Sequence, residues 1–454
     1  MEGVYSKQRE FTIIMKLLLS SLLVLFFLTS CGNKNNNSLN ELDMKMNKVA
    51  EEYVKLVLEI GLYKPDYVDA YYGPDGWLPE KPQSNKIDSN IIKSLNEQTD
   101  NLLNSLEGLR DYKATELETL RFRFLYKQLL SVKGMIFIIS GGTFSFDQEA
   151  KILYDAEPPN YSNKHFQNII DELNIIVPGK GDLQTRLNNF RNQFIIPPGK
   201  LDTVFTTAIN ECRRRSARYI QLPQKENFKV EYVKDKSWGA YNWYKENSYS
   251  VIQVNTDLPT YIDGAINLAA HEGYPGHHVF NALMEKNFVH DNGWMEFSVY
   301  PLYSPVSLLA EGTANFGIDV VFPGNERIKF EREFLFPLAG LDTNKVELYY
   351  KIMNLLEDLD YAGNEAARNF LDGKWDKVQT IKYMEEYQLV PKERAEKKLD
   401  FIKQYRSYVI NYNLGEDLVK NYIEKNGGTV DNPQRRWQLF KELLSKPETP
   451  SGLE

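Results

Sequence analysis

Cysteine is nearly absent: two in 454 residues, Cys31 and Cys212. No network of intramolecular disulfides can stabilise such a chain, so its core must come from apolar burial. Histidine is almost as scarce, at five residues. No long basic run occurs, and the formal charge of -8 with a pI near 5.5 argues against nucleic acid as a partner. Beyond residue 30 no apolar stretch is long enough to cross a bilayer, and no internal repeat is visible. What remains is 42% hydrophobic and 13% aromatic, a composition that can bury a large core.

The one sustained apolar run, Leu17 to Leu28, follows Lys16 and is too short for a spanning helix. It reads as an export signal, with Met15 as an alternative start. The run ends in Leu28-Thr29-Ser30-Cys31-Gly32, which resembles the lipobox of bacterial lipoproteins. Residues 1–30 are therefore expected to be a cleaved signal, Cys31 the lipid-bearing first residue of an envelope lipoprotein, and the Asn-rich stretch 31–38 a flexible tether. Cys212 sits in a helical pattern and is expected to be a packed thiol.

Helical periodicity dominates the rest, at about 38–62, 90–107, 113–138, 163–175, 199–219, 326–358, 391–411 and 431–445. Strand character is confined to 228–233 and 249–254, where β-branched residues gather. The expected fold is mainly α, with a small sheet just before the histidine-bearing segment at 271–278. A helical N-terminal part, 39–200, would precede the part that carries this segment, 201–454. The strand at 249–254 could present an edge on which an extended peptide lies, or equally be a packing strand.

Three of the five histidines fall within eight residues, His271-Glu272-Gly273-Tyr274-Pro275-Gly276-His277-His278. The common zinc-peptidase pattern sets two histidines at i and i+4 on one helical face, with a glutamate between them for base catalysis. Here i+4 is Pro275. On an unbroken helix His277 and His278 would lie about 9 to 10.5 Å along the axis from His271, too far to share one ion. Proline and glycine allow the chain to loop out and return a later histidine. His277 needs the smaller detour; His278 is the alternative ligand, or a neighbour of substrate.

This segment resembles the bacterial family filed as domain of unknown function 885, whose hallmark is His-Glu-x-x-Pro-Gly-His-His and which is similar to the gluzincin metallopeptidases. The resemblance spans about Tyr67 to Tyr412, including Tyr71-Tyr72-Gly73-Pro74, Trp238-Gly239-Ala240-Tyr241-Asn242-Trp243-Tyr244 and Glu311-Gly312. It implies a helix-rich fold and a Zn2+ site. The third ligand is then Glu311, on a helix opened by Ser304 as cap and Pro305 at its first position. Asn315, one turn on, could hold a ligand in place, with Asp319 a weaker choice.

Glu272 is assigned as general base, and Tyr412 of Tyr412-x-x-Gly415 as a donor to the oxyanion. Tyr405, Tyr408 and Tyr412 are expected on one helical face, Tyr408 near substrate and Arg406 available for a substrate carboxylate. His165 and His290 are given no role. The expected activity is hydrolysis of peptide or other amide bonds, with the membrane as partner through the lipid anchor. The competing readings are a zinc amidase or esterase of the cell envelope, and a non-enzymatic lipoprotein that binds peptide or glycan.

The export reading makes a direct prediction. Intact-mass analysis of the mature protein should find lipid on Cys31, and Cys31→Ser should lose that mass and leave the membrane fraction. An unmodified N-terminus elsewhere would refute it.

Overall fold

Local signals account for many of the element starts. Thr115 and Glu118 exchange hydrogen bonds in a reciprocal cap at the head of the helix Glu116–Ile139, as Ser145 with Gln148 and Asp376 with Gln379 do for Phe146–Tyr154 and Lys377–Tyr387. The computed structural model describes residues 41–82, 86–236, 238–257 and 259–454. The export signal, Cys31 and the tether lie outside the described residues. The fold is 66% helical with only small sheets, as the periodicity leads one to expect. Lys45–Glu454 form one unit of dense contacts, and position 200 falls within it. Among the described residues no helix is long and apolar enough to cross a membrane.

Two long helical readings break, each for a physical reason. The stretch 326–358 is divided at Phe336–Ala339, where Pro337 lacks a donor and Gly340 takes φ 75°, before Val346–Asp358 resumes. The stretch 391–411 ends as the helix Lys392–Tyr405. Arg406 has φ 55°, and a tight turn, Arg406–Val409, leads into a new helix, Ile410–Lys425. Tyr405, Tyr408 and Tyr412 therefore do not share one continuous helical face. The cause is tertiary: the buried Glu149 carboxylate accepts from Arg406 Nε at 2.7 Å, Ser407 N at 3.1 Å and Ser407 Oγ at 2.7 Å.

The two expected strands are present and a third joins them. β2 (Asn227–Val233) runs parallel to β4 (Tyr249–Asn255), and β3 (Ala240–Tyr244) runs antiparallel to β4 on its other side. β4 is thus the central strand, so of the two expectations for 249–254 the packing strand is met and the edge is not: both of its backbone edges are paired, and the edges belong to β2 and β3. A second, two-stranded sheet pairs β1 (Val68–Tyr71) with β5 (Val299–Pro301) and is irregular between Val68 and Ala70. Ahead of β5, Glu296 is fixed by a fully buried pair with Arg121, whose Nε and Nη2 donate at 2.6 and 2.9 Å.

At the centre runs the helix Pro305–Val321, buried on nearly every side. Ser304 precedes it, but its hydroxyl donates back to Pro301 O at 2.6 Å instead of capping the helix. The helix lies against Ile410–Lys425 at the distance set by two glycines. A Cβ on Gly312 would stand 2.2 Å from Gly415 O, and one on Gly415 2.7 Å from Leu308 O. Asn411 Nδ2 to Ser307 Oγ at 3.0 Å and Asn315 Nδ2 to Tyr412 O at 2.7 Å tie the pair together.

Gly312→Ala should therefore force these helices apart and cost about 1–3 kcal/mol or more. Gly199→Ala, which meets nothing within 4 Å, should stay within about 0.5 kcal/mol of wild type. Thermal or denaturant unfolding of the two variants checks this, and equal stabilities would show that the close approach is not limiting.

Candidate metal centre

The histidine motif begins in a short helix, Asp263–Asn267, that widens into a π segment, Leu268–Gly273, carrying His271 and Glu272. The widening continues into a loop: Tyr274 N donates to Ala269 O and Gly276 N to Ala270 O, both at 2.8 Å. The Tyr274–Pro275 peptide bond is cis. Gly276 passes so close to the preceding turn that a Cβ would lie 1.8 Å from His271 O, so only glycine fits there. A new helix, His277–Met284, starts immediately after.

This detour brings His277 Nε2 to 3.1 Å from His271 Nε2. Glu311 Oε2 completes a triangle, 3.5 Å from His271 Nε2 and 3.6 Å from His277 Nε2. Two nitrogens bonded to one tetrahedral zinc at roughly 2.0–2.1 Å would stand about 3.3 Å apart, so the donor spacing suits such an ion. Glu311 Oε2 is buried without a hydrogen-bond partner, while Oε1 accepts from Tyr408 OH at 2.9 Å. One carboxylate oxygen is tied down and the other faces two imidazoles.

The imidazole orientation follows from its neighbours. Asn315 spends its amide N–H on Tyr412 O, so its Oδ1, 2.7 Å from His271 Nδ1, is an acceptor. His271 therefore carries its proton on Nδ1 and presents a bare Nε2 inward. Burial opposes a charge on His277, but the Glu311 carboxylate, with Glu272 and Asp69 behind it, outweighs burial and pushes His277 up to about 9. Burial would raise Glu311, yet the charges of His277 and His271 and the Tyr408 hydrogen bond hold it below the usual carboxylate range. The field between the three side chains favours a cation, and His271, His277 and Glu311 form a donor set that fits a divalent metal.

The remaining predicted residues divide. Glu272 is buried at 7% exposure, with its backbone O accepting from Asn242 Nδ2 at 2.7 Å, and its charge is felt by His277 and Tyr412. Tyr412 is 40% exposed as a residue, but desolvation of its phenol, then Glu311 and Glu272, raise it above its ordinary range, so it stays protonated as a donor. Tyr408 holds Glu311 rather than open space.

His278, the alternative ligand, points the other way. Its Nδ1 is 2.8 Å from Ser250 Oγ on β4 and its Nε2 3.1 Å from Glu226 Oε2. Adjacent residues at a helix start project about 100° apart, so only one of the pair can face His271. Glu226 also accepts from Tyr274 OH at 2.6 Å and from Arg213 Nη2 at 2.5 Å, forming a buried brace behind the loop. Arg406 is not brought to the cluster either, because Glu149 holds it. Asp319 lies two turns beyond Glu311, under the charges of Lys420, Arg436 and Arg327. His165 stacks on Tyr161, and His290 meets Glu285.

Sequence reasoning missed several residues around the cluster. Tyr241 and Asn242 of β3 lie in a quoted aromatic segment, but only the fold gives them partners. Tyr300 of β5 is raised well above its ordinary range by burial and by the nearby Glu311, Asp69 and Tyr412. Asp69 of β1 is raised by burial, to which the charge of Glu311 adds, against a hydrogen bond from Tyr241 and the charge of His277. Nothing local in the sequence marks Asp69.

Comparisons with known proteins bear on the fold. No family model matches the chain, and no curated protein matches it. Among solved structures, a candidate lipoprotein from Colwellia psychrerythraea is similar with TM-score 0.50 and 16% identity, over 83% of this chain and 70% of that one. It shares the fold. A candidate lipoprotein of unknown function from Shewanella oneidensis gives TM-score 0.39 at 12% identity, over 78% and 72% of the two chains. An M32 carboxypeptidase from Deinococcus radiodurans R1 gives 0.38 at 12%, over 90% and 93%. Both scores are too low to carry an argument.

The opposed orientations of the two adjacent histidines predict opposite losses. His277→Ala should abolish binding of stoichiometric zinc and leave a folded protein. His278→Ala should keep the metal and lose about 1–3 kcal/mol of stability, since Ser250 Oγ and Glu226 each lose a buried hydrogen-bond partner. Elemental analysis paired with thermal unfolding reads both, and zinc lost from His278→Ala at unchanged stability would reverse the assignment.

Proposed function

We propose that the protein is a zinc-dependent hydrolase acting on peptide bonds, exported and anchored through Cys31. The observation that carries the reading is the buried, unpartnered Glu311 Oε2 facing the Nε2 atoms of His271 and His277. Most buried carboxylate oxygens are met by a hydrogen-bond donor, and one that instead faces two imidazole nitrogens suits a cation held between the three. His271, His277 and Glu311 would hold the ion, and Asn315 and Tyr408 would keep two of these ligands in orientation. Zinc there would supply Lewis acidity to a carbonyl and make water more acidic.

The chain's own residues account for the proton transfers. Glu272 follows His271 directly and its charge is felt by His277 and Tyr412, which suits it to take a proton from an attacking water and return it to the leaving amine. Its main chain is held by Asn242, which limits the positions the carboxylate can take. Tyr412, kept protonated, can donate to the oxygen that gains charge as the carbonyl is attacked. β3 is an edge strand whose Asn242 reaches the catalytic segment, so its free edge suits an extended peptide better than β4 does.

The two glutamates have separable roles. Glu272→Gln keeps size and hydrogen-bonding reach but removes the base, and turnover of a peptide substrate should fall by roughly 10² to 10⁴ with zinc content near wild type. Glu311→Gln should lose metal and activity together. Near wild-type turnover by zinc-loaded Glu272→Gln would refute its role as base.

A further inference from the structure

β1 departs from regular pairing at one residue beside the cluster. Val68 is opposite Pro301 and Ala70 opposite Tyr300, which leaves Asp69 at the irregularity. Such bulges turn a side chain out of the regular alternation, often toward a site. Here the Asp69 carboxylate meets the other sheet, where Tyr241 OH of β3 donates to its Oδ1. Tyr241 is followed by Asn242, whose Nδ2 donates to Glu272 O at 2.7 Å, so this contact sets Asp69 beside the cluster, where the charges of His277 and Glu311 bear on it.

Among the described residues no lysine or arginine forms an ion pair with Asp69. Arg406, the cation expected near substrate, is committed to Glu149. The other acids, Glu272 and Glu311, have work of their own in the proposed chemistry. Tyr241 and Tyr300 add aromatic walls, and Tyr241 packs between Trp238 at 5.8 Å and Trp243 at 4.6 Å. A carboxylate with one oxygen oriented by a phenol, set among aromatic rings and paired with no lysine or arginine among the described residues, is the chemistry that receives a cation. It is poorly suited to a substrate carboxylate, which two negative charges in one low-dielectric site would repel.

We propose that Asp69, oriented by Tyr241, forms an anionic subsite beside the metal centre that takes the primary ammonium group of a substrate. The inference rests on the hydrolase reading for what the subsite serves, but not for whether it binds. The ammonium has two sources in a peptide, the free N-terminus and a lysine side chain. The first makes the protein an aminopeptidase; the second makes it select basic residues.

Calorimetric titration of the zinc-loaded protein at neutral pH separates these. Three probes suffice: leucinamide, which carries the α-ammonium, N-acetyl-lysinamide, which carries only the ε-ammonium, and N-acetyl-leucinamide, which carries neither. One of the first two should bind about tenfold or more tightly than the third, as a charge-assisted hydrogen bond allows. Whichever leads assigns the source. Asp69→Asn should erase the preference, with zinc content and the affinity for N-acetyl-leucinamide unchanged. Equal binding of all three probes to wild type, no measurable binding of either ammonium probe, or a preference that survives in zinc-loaded Asp69→Asn overturns the proposal. If the preference depends on Asp69 but no peptide is cleaved, the subsite stands and the hydrolase reading fails.

Discussion

The structure of the site depends on one backbone detour. Between His271 and His277 the chain widens into a π segment, turns at Tyr274-Pro275-Gly276 and starts a new helix, which closes the two Nε2 atoms to 3.1 Å. Gly276 makes this possible because its backbone packs against His271 O and Ala270 O, where no side chain could be accommodated. Everything else in the site is arranged around that pair of imidazoles.

A second close approach supplies the carboxylate. Gly312 and Gly415 let two central helices touch, and the contact carries three groups to the histidines at once: Glu311 from one helix, Tyr412 from the other, and Tyr408 from the turn before it. The same helix pair positions Asn315, which accepts from His271 and donates to Tyr412 O. Each ligand is thus oriented by a group that is itself held, the condition for a site whose geometry survives thermal motion.

On the far side of the loop, a separate network does mechanical work. Glu226 gathers His278, Tyr274 and Arg213, and burial of its carboxylate is outweighed by these partners, which hold it below the usual carboxylate range. Its deprotonated form is therefore favoured by folding, a stabilisation present above the ordinary value of 4.5 and lost as pH falls through the depressed one. The motif's two adjacent histidines serve two different purposes, one facing the cluster and one bracing the loop that presents it.

By itself, the sequence was enough for the helix-rich class, the small sheet ahead of the motif, and the clustering of His271, Glu272, His277 and Glu311 as candidates for one centre. The helix-rich class, the sheet and the histidine cluster follow from local periodicity, capping pairs and spacing, which act over a few residues, whereas Glu311 was implied by the resemblance to the gluzincin metallopeptidases. Which of His277 and His278 faces inward was not legible, because it depends on how the Pro275-Gly276 turn packs and on partners at Ser250 and Glu226. Arg406 looked available for substrate until Glu149, 257 positions away in the chain, captured it. Whether 249–254 was an edge or a packing strand stayed open in the sequence until β2 and β3 paired with both sides of β4. Asp69 carried no signal at all, since a bulge in a four-residue strand and a tyrosine from another sheet are needed to bring it to the centre. Contacts between residues far apart in sequence leave no period or spacing in it, and only the tertiary structure decides them.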